Sequence, residues 1–449
     1  MTKRDVIQDG WKNEAVKESL DLCLACKGCK SDCPTGVDVA TYKSEFLAHY
    51  YETNRRPLNA LAFANIDLWA RAASHVPGLV NLTTQLPGLR DLAKLAAGIS
   101  PHRRIPRFAP ETFQQWWEQK LSRTGPPTRS GRAQFDRSAG VPPAVERASR
   151  PLHQVLLWAD TFNNHFQPST AIAAAEVLEA AGFDVLVPRA HLCCGRPLYD
   201  LGLLARAKEL LLQVMDELYV EIEQRTPIIV LEPSCAAVFR DELTNLFPND
   251  DRAHALSKQV FLLSEFLEKF APEETFRLPK LARHALAHGH CHHKAIMKMT
   301  AEEAVLRRMG IEFTTPAPGC CGMAGAFGFE KDKYEISRSI GELELLPAVR
   351  QAPTDWLIIA DGFSCREQIA QETDRHALHL AEVLQMALRE STETPEGIPL
   401  FDAAPRHYPE DAWVGPHEEA IRKSMKRTGL TMAGIAAGAA LLWTIANRR

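Results

Sequence analysis

HLCCGRP (residues 191–197) and PGCCGM (residues 318–323) carry the same Cys-Cys-Gly triplet, and what surrounds each copy decides the fold. Ahead of the first lie HQVLLWAD (153–160), an apolar run that reads as a buried strand, the helical stretch TAIAAAEVLEAAG (170–182), and a second strand, FDVLVP (183–188). After it come a long helix over about 203–223 and the strand TPIIVLEPSC (226–235). The second copy repeats the order. ARHALAHGHC (282–291) reads as a strand, AEEAVLRRMG (301–310) as a helix, and IEFTTPAPGCCG (311–322) as a strand running into a loop. KYEISRSIGELELLPAVR (333–350) then reads as a helix and TDWLIIADGFSC (354–365) as a strand. In both copies Cys-Cys-Gly follows the second strand and Ser-Cys the third. That register predicts an internal duplication of α/β modules, with cysteines beyond the carboxyl ends of the strands, where open α/β sheets bind ligands.

The predicted fold class is α/β: an N-terminal helical domain, marked as ferredoxin-like and iron–sulfur by the C-x2-C-x2-C-x3-C-P run from Cys23 to Cys33, followed by two duplicated α/β cysteine-rich modules. The expected divisions are a helical domain over 1–120, a linker over 121–150, a first module over 151–275 and a second over 276–390. An extended polar segment over 391–428 and an apolar tail over 429–446 complete the chain. The linker holds four prolines and six arginines against two acids, with little apolar periodicity. The tail has 18 residues without a charge and a GxxxG at Gly434 and Gly438. At about 1.5 Å per residue a helix of that length just reaches across a thin bilayer core of about 27 Å. Membrane contact and a docked tail are both open on this pattern, because Ala and Gly dominate it.

All eleven cysteines fall in short clusters, and the first twenty residues contain no apolar export segment. Together these features suggest a reducing cytoplasm and metal or redox work in place of a disulfide framework. A net charge of −4 gives no reason to expect a nucleic-acid partner. No Walker loop, dinucleotide fingerprint or Ser–His–Asp pattern is present, so catalytic residues stay unassigned.

The densest cluster is LDLCLACKGCKSDCPTGVD (20–38), in which Cys23, Cys26, Cys29 and Cys33 follow C-x2-C-x2-C-x3-C-P. Three thiolates at successive two-residue spacings suit one corner of a 4Fe-4S cluster better than a zinc site, which favours separated pairs. In paired runs of this kind the fourth cysteine serves the other cluster. Cys33 thus either closes a lone cluster or belongs to one completed by a partner chain. Cys291, Cys320, Cys321 and Cys365 supply four thiolates, enough for a second cluster. The first module has Cys193, Cys194 and Cys235 without a fourth. At the matching strand end, ADTFNNHF (159–166) offers Thr161 and His165, and loss of the cluster is the plain alternative. One or two clusters are expected in the chain. His288, His290, His292 and His293 in HGHCHH are candidates to tune a neighbouring cluster, or are solvated loop residues or helix-cap partners. Asp361 and Arg366 are candidates for catalysis, or a helix-start acid and a surface arginine.

Four stretches carry a family resemblance: LCLACKGCKSDCP (22–34), VATYKSEFLAHYY (39–51), PGCCGMAGAFGFE (318–330) and IIADGFSCREQIA (358–370). They resemble the C-terminal iron–sulfur half of bacterial FAD-linked 2-hydroxy-acid dehydrogenases of the D-2-hydroxyglutarate and D-lactate type. The paired modules also resemble the cysteine-rich domains of heterodisulfide reductase and of glycolate oxidase and glycerol-3-phosphate dehydrogenase iron–sulfur subunits. In that family a flavin domain and the first ferredoxin run precede the part matched here. The resemblance implies FAD on a flavoprotein dehydrogenase partner, with electrons passing through 4Fe-4S clusters of this chain to a quinone or other acceptor. It also implies a cytoplasmic site of action, which the tail could extend to the inner face of the cytoplasmic membrane. A heterodisulfide-reductase-like thiol–disulfide reductase and a cluster-poor, zinc-stabilised binding protein are the alternatives.

Overall fold

The structure, a computed structural model, describes residues 9–124, 154–271, 273, 276–393 and 408–446. Most of the expected linker, and residues 394–407 of the expected polar segment, lie outside the described residues.

Two small parallel sheets organise the molecule. The first has the order β2-β1-β3-β4, with β1 Gln154–Leu157, β2 Asp184–Leu186, β3 Ile228–Ile229 and β4 Val260–Phe261. The second has the order β6-β5-β7, with β5 His284–Ala287, β6 Glu312–Thr314 and β7 Leu357–Ile359. Each central strand pairs with its neighbours in parallel register, for example Val155 with Val185 and Ala285 with Phe313. The duplication reaches one strand further than the sequence pattern suggests. β4 adds to β3, and at the corresponding edge of the second sheet Leu378 makes a single parallel bridge to Ile359.

Strand periodicity explains the layering. Side chains alternate between faces, and both faces of each sheet are covered, as parallel sheets require. Val155, Leu157 and Ile229 from the first sheet and Ala285, Ala287, Leu357 and Ile359 from the second face one shared core. Helices Pro168–Ala180 and Leu380–Glu393 pack against each other within it. The alternate residues face outward into separate cores: Leu156, Trp158, Ile228 and Val230 in the first module, Leu286, Ile358 and Ala360 in the second. Cys194 and Cys235 belong to the former outer core, Cys321 and Cys365 to the latter.

Several expected elements differ in detail. The long helix over 203–223 is two helices, Leu204–Glu217 and Tyr219–Glu223, and 333–350 divides into Tyr334–Gly341 and Leu345–Gln351. Residues 411–428, expected to be extended, belong to helix Asp411–Ala446 despite Pro416. Tertiary contacts account for this. Gly78 admits that helix so closely that a Cβ there would lie 2.2 Å from Thr428 Oγ1. Arg107 pairs with Glu418, and the buried Arg375 with Glu410. No helix among the described residues is long and apolar enough to cross a membrane.

The N-terminal residues are helical, with Val39–Thr53, Ile66–Ala73 and Pro77–Gln85 among the helices. They clasp the second module through Arg103, a fully buried residue that donates to the Gly328 carbonyl (2.7 Å) and Ser337 Oγ (2.9 Å) and pairs with Glu372 (3.0 Å).

Gly322, the glycine of the second triplet, has φ +87°, and a Cβ there would sit 2.0 Å from the Ser337 carbonyl oxygen. Gly182 has the same φ with open space around it. Gly182→Ala is therefore expected to cost only the left-handed strain, about 1–2 kcal/mol. Gly322→Ala should cost more than about 3 kcal/mol, because backbone must move as well. Urea unfolding of the two variants side by side checks this; equal costs would mean that the cysteine loop relaxes freely.

Candidate functional site

The eleven cysteines are all free thiols and gather in three places. In the second module Cys291 lies just after β5, Cys320 and Cys321 in the loop beyond β6, and Cys365 after β7. Their thiols are close enough for each to perturb the next in ionisation, Cys291 with Cys320, Cys320 with Cys321 and Cys321 with Cys365. Contact with Cys320 and then burial hold the Cys291 thiol well above its ordinary pKa. Four neighbouring thiols, two buried (Cys321 and Cys365) and two half-buried (Cys291 and Cys320), that resist ionisation are a poor arrangement for water and a good one for a metal centre, which takes up thiolate and releases the proton.

In the first module Cys193, Cys194 and Cys235 also meet, with Cys194 Sγ 3.0 Å from Cys235 Sγ. Thr161 occupies the place that Cys291 holds in the other copy, its Oγ1 3.8 Å from Cys193 Sγ. Asp67, from helix Ile66–Ala73, approaches Thr161 Oγ1 at 3.4 Å and adds to the field at Cys193. His165 is engaged elsewhere, with Nδ1 2.7 Å from Ser74 Oγ. Asp67 had no signal in the sequence, since a single acid in NIDLWARAA reads as an exposed position of an apolar helix.

The third place is the N-terminal run. Cys23, Cys26 and Cys29 lie close enough to act on one another electrostatically, and Cys291 also adds to the field at Cys26. Backbone N–H groups of Ala25 and Val39 donate to Cys23 Sγ (3.5 Å) and Cys29 Sγ (3.4 Å). Cys33 is set apart: its thiol contacts Thr35 Oγ1 at 3.1 Å, and that hydrogen bond lowers its pKa to about 7.

The loop is held from both modules. The Ala25 carbonyl accepts from Arg196 Nη2 (3.3 Å), which follows the first Cys-Cys-Gly, and from His292 Nε2 (2.8 Å), which follows Cys291. Lys27, 1% exposed, pairs with Asp38 (2.8 Å), Asp241 (2.9 Å) and Glu242 (3.2 Å). Burial works against its charge, but the carboxylates of Glu242 and Asp241 outweigh that, and its pKa ends above the ordinary value.

The four histidines are buried, which corrects the solvated-loop alternative. Burial drives His288 and His290 down to about 3 and His293 to about 4, so all are neutral at physiological pH, as is His292. Gly362 makes room for His290, since a Cβ there would lie 2.3 Å from its Cδ2. Arg366 is likewise buried, contrary to the surface alternative, and donates to Thr170 Oγ1 (2.8 Å) and Asn163 Oδ1 (3.2 Å). Asp361 accepts from Leu380 N–H (2.9 Å), so it caps a helix, although not the one that directly follows it.

Residues 160–240 and 286–369 each match the family profile described as CCG, cysteine-rich domain. The chain carries two CCG cysteine-rich domains. It is 28% identical over 385 residues to D-2-hydroxyglutarate dehydrogenase of Pseudomonas putida, covering 85% of this chain and 35% of that protein. It is 25% identical to a subunit of the anaerobic glycerol-3-phosphate dehydrogenase of Escherichia coli, over 75% of this chain and 79% of the relative. Lactate utilization protein A of Bacillus velezensis is 29% identical over 51% of this chain and 98% of its own length. The chain spans about a third of the length of the D-2-hydroxyglutarate dehydrogenases it matches. In both CCG domains the two cysteines of the triplet meet the later Ser-Cys cysteine, and only the second adds a cysteine from the first strand end.

Exposure and pKa separate Cys33 from the thiols of the CCG domains. In cluster-free protein at pH 7, iodoacetamide should label Cys33 at least about tenfold faster than Cys193, Cys194 or Cys321, with a rate that climbs through pH 7. Peptide mass spectrometry of a labelling time course measures this, and uniform labelling would contradict the geometry.

Proposed function

We propose that this chain is the iron–sulfur electron-transfer component of a FAD-linked 2-hydroxy-acid oxidoreductase. It receives electrons from a flavoprotein partner that carries the FAD and delivers them to a quinone or another acceptor. The observation that carries this reading is the 2.8 Å hydrogen bond between His292 Nε2 and the Ala25 carbonyl, which sets the N-terminal run beside the segment that bears Cys291 in the second CCG domain. The relatives named above, dehydrogenases and a dehydrogenase subunit, support it.

The donor sets fit 4Fe-4S clusters: soft, neighbouring thiols without disulfides, half-buried in the N-terminal run and more deeply buried in the CCG domains. Cys291, Cys320, Cys321 and Cys365 would hold one. Cys23, Cys26 and Cys29 would hold another, closed by Cys33 or by a partner's cysteine. Cys193, Cys194 and Cys235, with Thr161 and Asp67 in the fourth place, would hold a third group only with a non-cysteine ligand. Bound clusters supply reversible one-electron chemistry, which no side chain here offers.

The chain's own residues set the surroundings. Backbone N–H groups of Gly195 and Gly322 donate to Cys193 Sγ (3.5 Å) and Cys320 Sγ (3.4 Å), and hydrogen bonds to sulfur raise a cluster's potential. The neutral histidines and the apolar outer cores exclude water. Lys27, Arg196 and the buried Lys43, which donates to the Cys23 carbonyl (2.8 Å), place positive charge around thiolates. In this reading the chain works in the cytoplasm, and a quinone acceptor would bring it to the inner face of the membrane.

Chain purified anaerobically should contain about eight irons, with matching labile sulfide, if two clusters are bound. Cys291→Ser should remove about half of both. The dithionite-reduced protein should be reoxidised by a quinone analogue and not by a disulfide such as glutathione disulfide. Zinc without labile sulfide would overturn the proposal, and rapid disulfide reduction would favour the thiol–disulfide reductase.

A further inference from the structure

His293, Glu302 and Asp361 form a second kind of site. His293 opens the π-helical turn His293–Met297, Glu302 lies in the first turn of helix Thr300–Met309, and Asp361 follows β7. One donor atom from each lies within 4.8 Å of the others, and His293 Nδ1 is 3.4 Å from Glu302 Oε2. The three residues are 0%, 2% and 4% exposed.

Their hydrogen bonding is incomplete in a specific way. Neither ring nitrogen of His293 makes a hydrogen bond and neither does Glu302 Oε2, because the 3.4 Å approach of Nδ1 to Oε2 lacks hydrogen-bond geometry. Buried polar atoms in folded proteins are almost always satisfied. Two carboxylates sharing a dry pocket also repel unless something positive lies between them. A proton shared by Glu302 and Asp361 would relieve the repulsion but leave both nitrogens of His293 stranded. A divalent cation satisfies an imidazole nitrogen and both carboxylates at once, and it neutralises their charge.

The surroundings support a ligand role for Asp361. Its Oδ1 accepts from Leu380 N–H and lies 3.5 Å from His379 Nε2. His379 Nδ1 accepts from Ala381 N–H (2.9 Å), which puts the proton on Nε2, facing Asp361 and the Leu231 carbonyl. Outer hydrogen bonds of this type orient metal-binding carboxylates. The other repeat supplies a contrast. Aligned through the cysteine positions, His293 matches Asn163 and Asp361 matches Leu231. Asn163 is fully bonded to Asp160 (2.8 Å) and Arg366 (3.2 Å). The cluster thus exists only in the domain that has four cysteines.

We infer that His293, Glu302 and Asp361 bind one divalent first-row transition ion, of the zinc, manganese or iron(II) class that suits mixed imidazole and carboxylate donors. The ion ties the segment after Cys291 to the strand end before Cys365 and braces the four-thiol group. It is separate from the clusters of the proposed function and does not require them.

The test uses the full chain, expressed in medium supplemented with zinc or with manganese and purified anaerobically. Zinc, manganese, iron and acid-labile sulfide are counted per chain in the wild type, in Glu302→Gln and in His293→Gln. The expected result is about one metal ion beyond the iron matched by sulfide in the wild type. Both variants should lose that ion and keep their sulfide. Should the cysteines hold zinc and no sulfide, the variants would still lose one ion, so this site and the cluster assignment are read independently. A wild type with no metal beyond sulfide-matched iron under either supplement overturns the inference, even if a variant fails to fold. Retention of the extra ion in both variants overturns it as well.

Discussion

The carbonyl of Ala25 is the point on which the arrangement of this molecule depends. A backbone carbonyl has two lone pairs, and here one is taken by Arg196 and the other by His292. These side chains come from different CCG domains, each one position beyond a cysteine-bearing motif. The contact therefore places the N-terminal cysteine run against both repeats at once. It also holds an unfavourable backbone, since Ala25 and Lys27 have φ of +52° and +62° without being glycine. Left-handed residues of that kind persist only when their surroundings over-determine them. Lys27 contributes the other half of the constraint, because a buried ammonium is tolerable only while Asp38, Asp241 and Glu242 surround it.

Around that junction the two CCG domains have kept their scaffold and diverged in their chemistry. Both place the triplet glycine in a left-handed turn and both bring three cysteines together at the carboxyl edge, whereas their π-helical turns lie at different places, after Cys235 in the first and after Cys291 in the second. A π-turn inserts one residue into a helix and re-aims the side chains beyond it. In the first domain that turn supplies Asp241 and Glu242, which hold Lys27. In the second it supplies His293, and the fourth cysteine, Cys291, stands two residues before it. The first domain thus acts more as a clamp for the N-terminal loop, while the second concentrates donor atoms.

The shared core explains how such divergence is tolerated. The faces of the two sheets that meet, through helices Pro168–Ala180 and Leu380–Glu393, are uniformly apolar and bear no cysteine. Cys194 and Cys235, and Cys321 and Cys365, sit on the opposite faces, in cores that do not overlap. A change at one cysteine group therefore leaves the packing between the repeats intact.

Much of this was legible in the amino-acid sequence. Strand and helix periodicity, read against two Cys-Cys-Gly triplets in the same register, determined the duplicated α/β architecture and the cysteines at the strand ends. Local pattern was enough because each strand's burial is written in consecutive residues. The proline-rich stretch before the tail misled for the opposite reason, since helix 411–446 is held by Gly78, Arg107 and Arg375, all distant in the chain. Distance along the chain also hid Asp67 beside Cys193, the burial of the four histidines, and the meeting of His293, Glu302 and Asp361. Composition and spacing name the donors that a chain possesses. Which of them share one dry pocket depends on contacts between residues tens to hundreds of positions apart, and only the tertiary structure decides that.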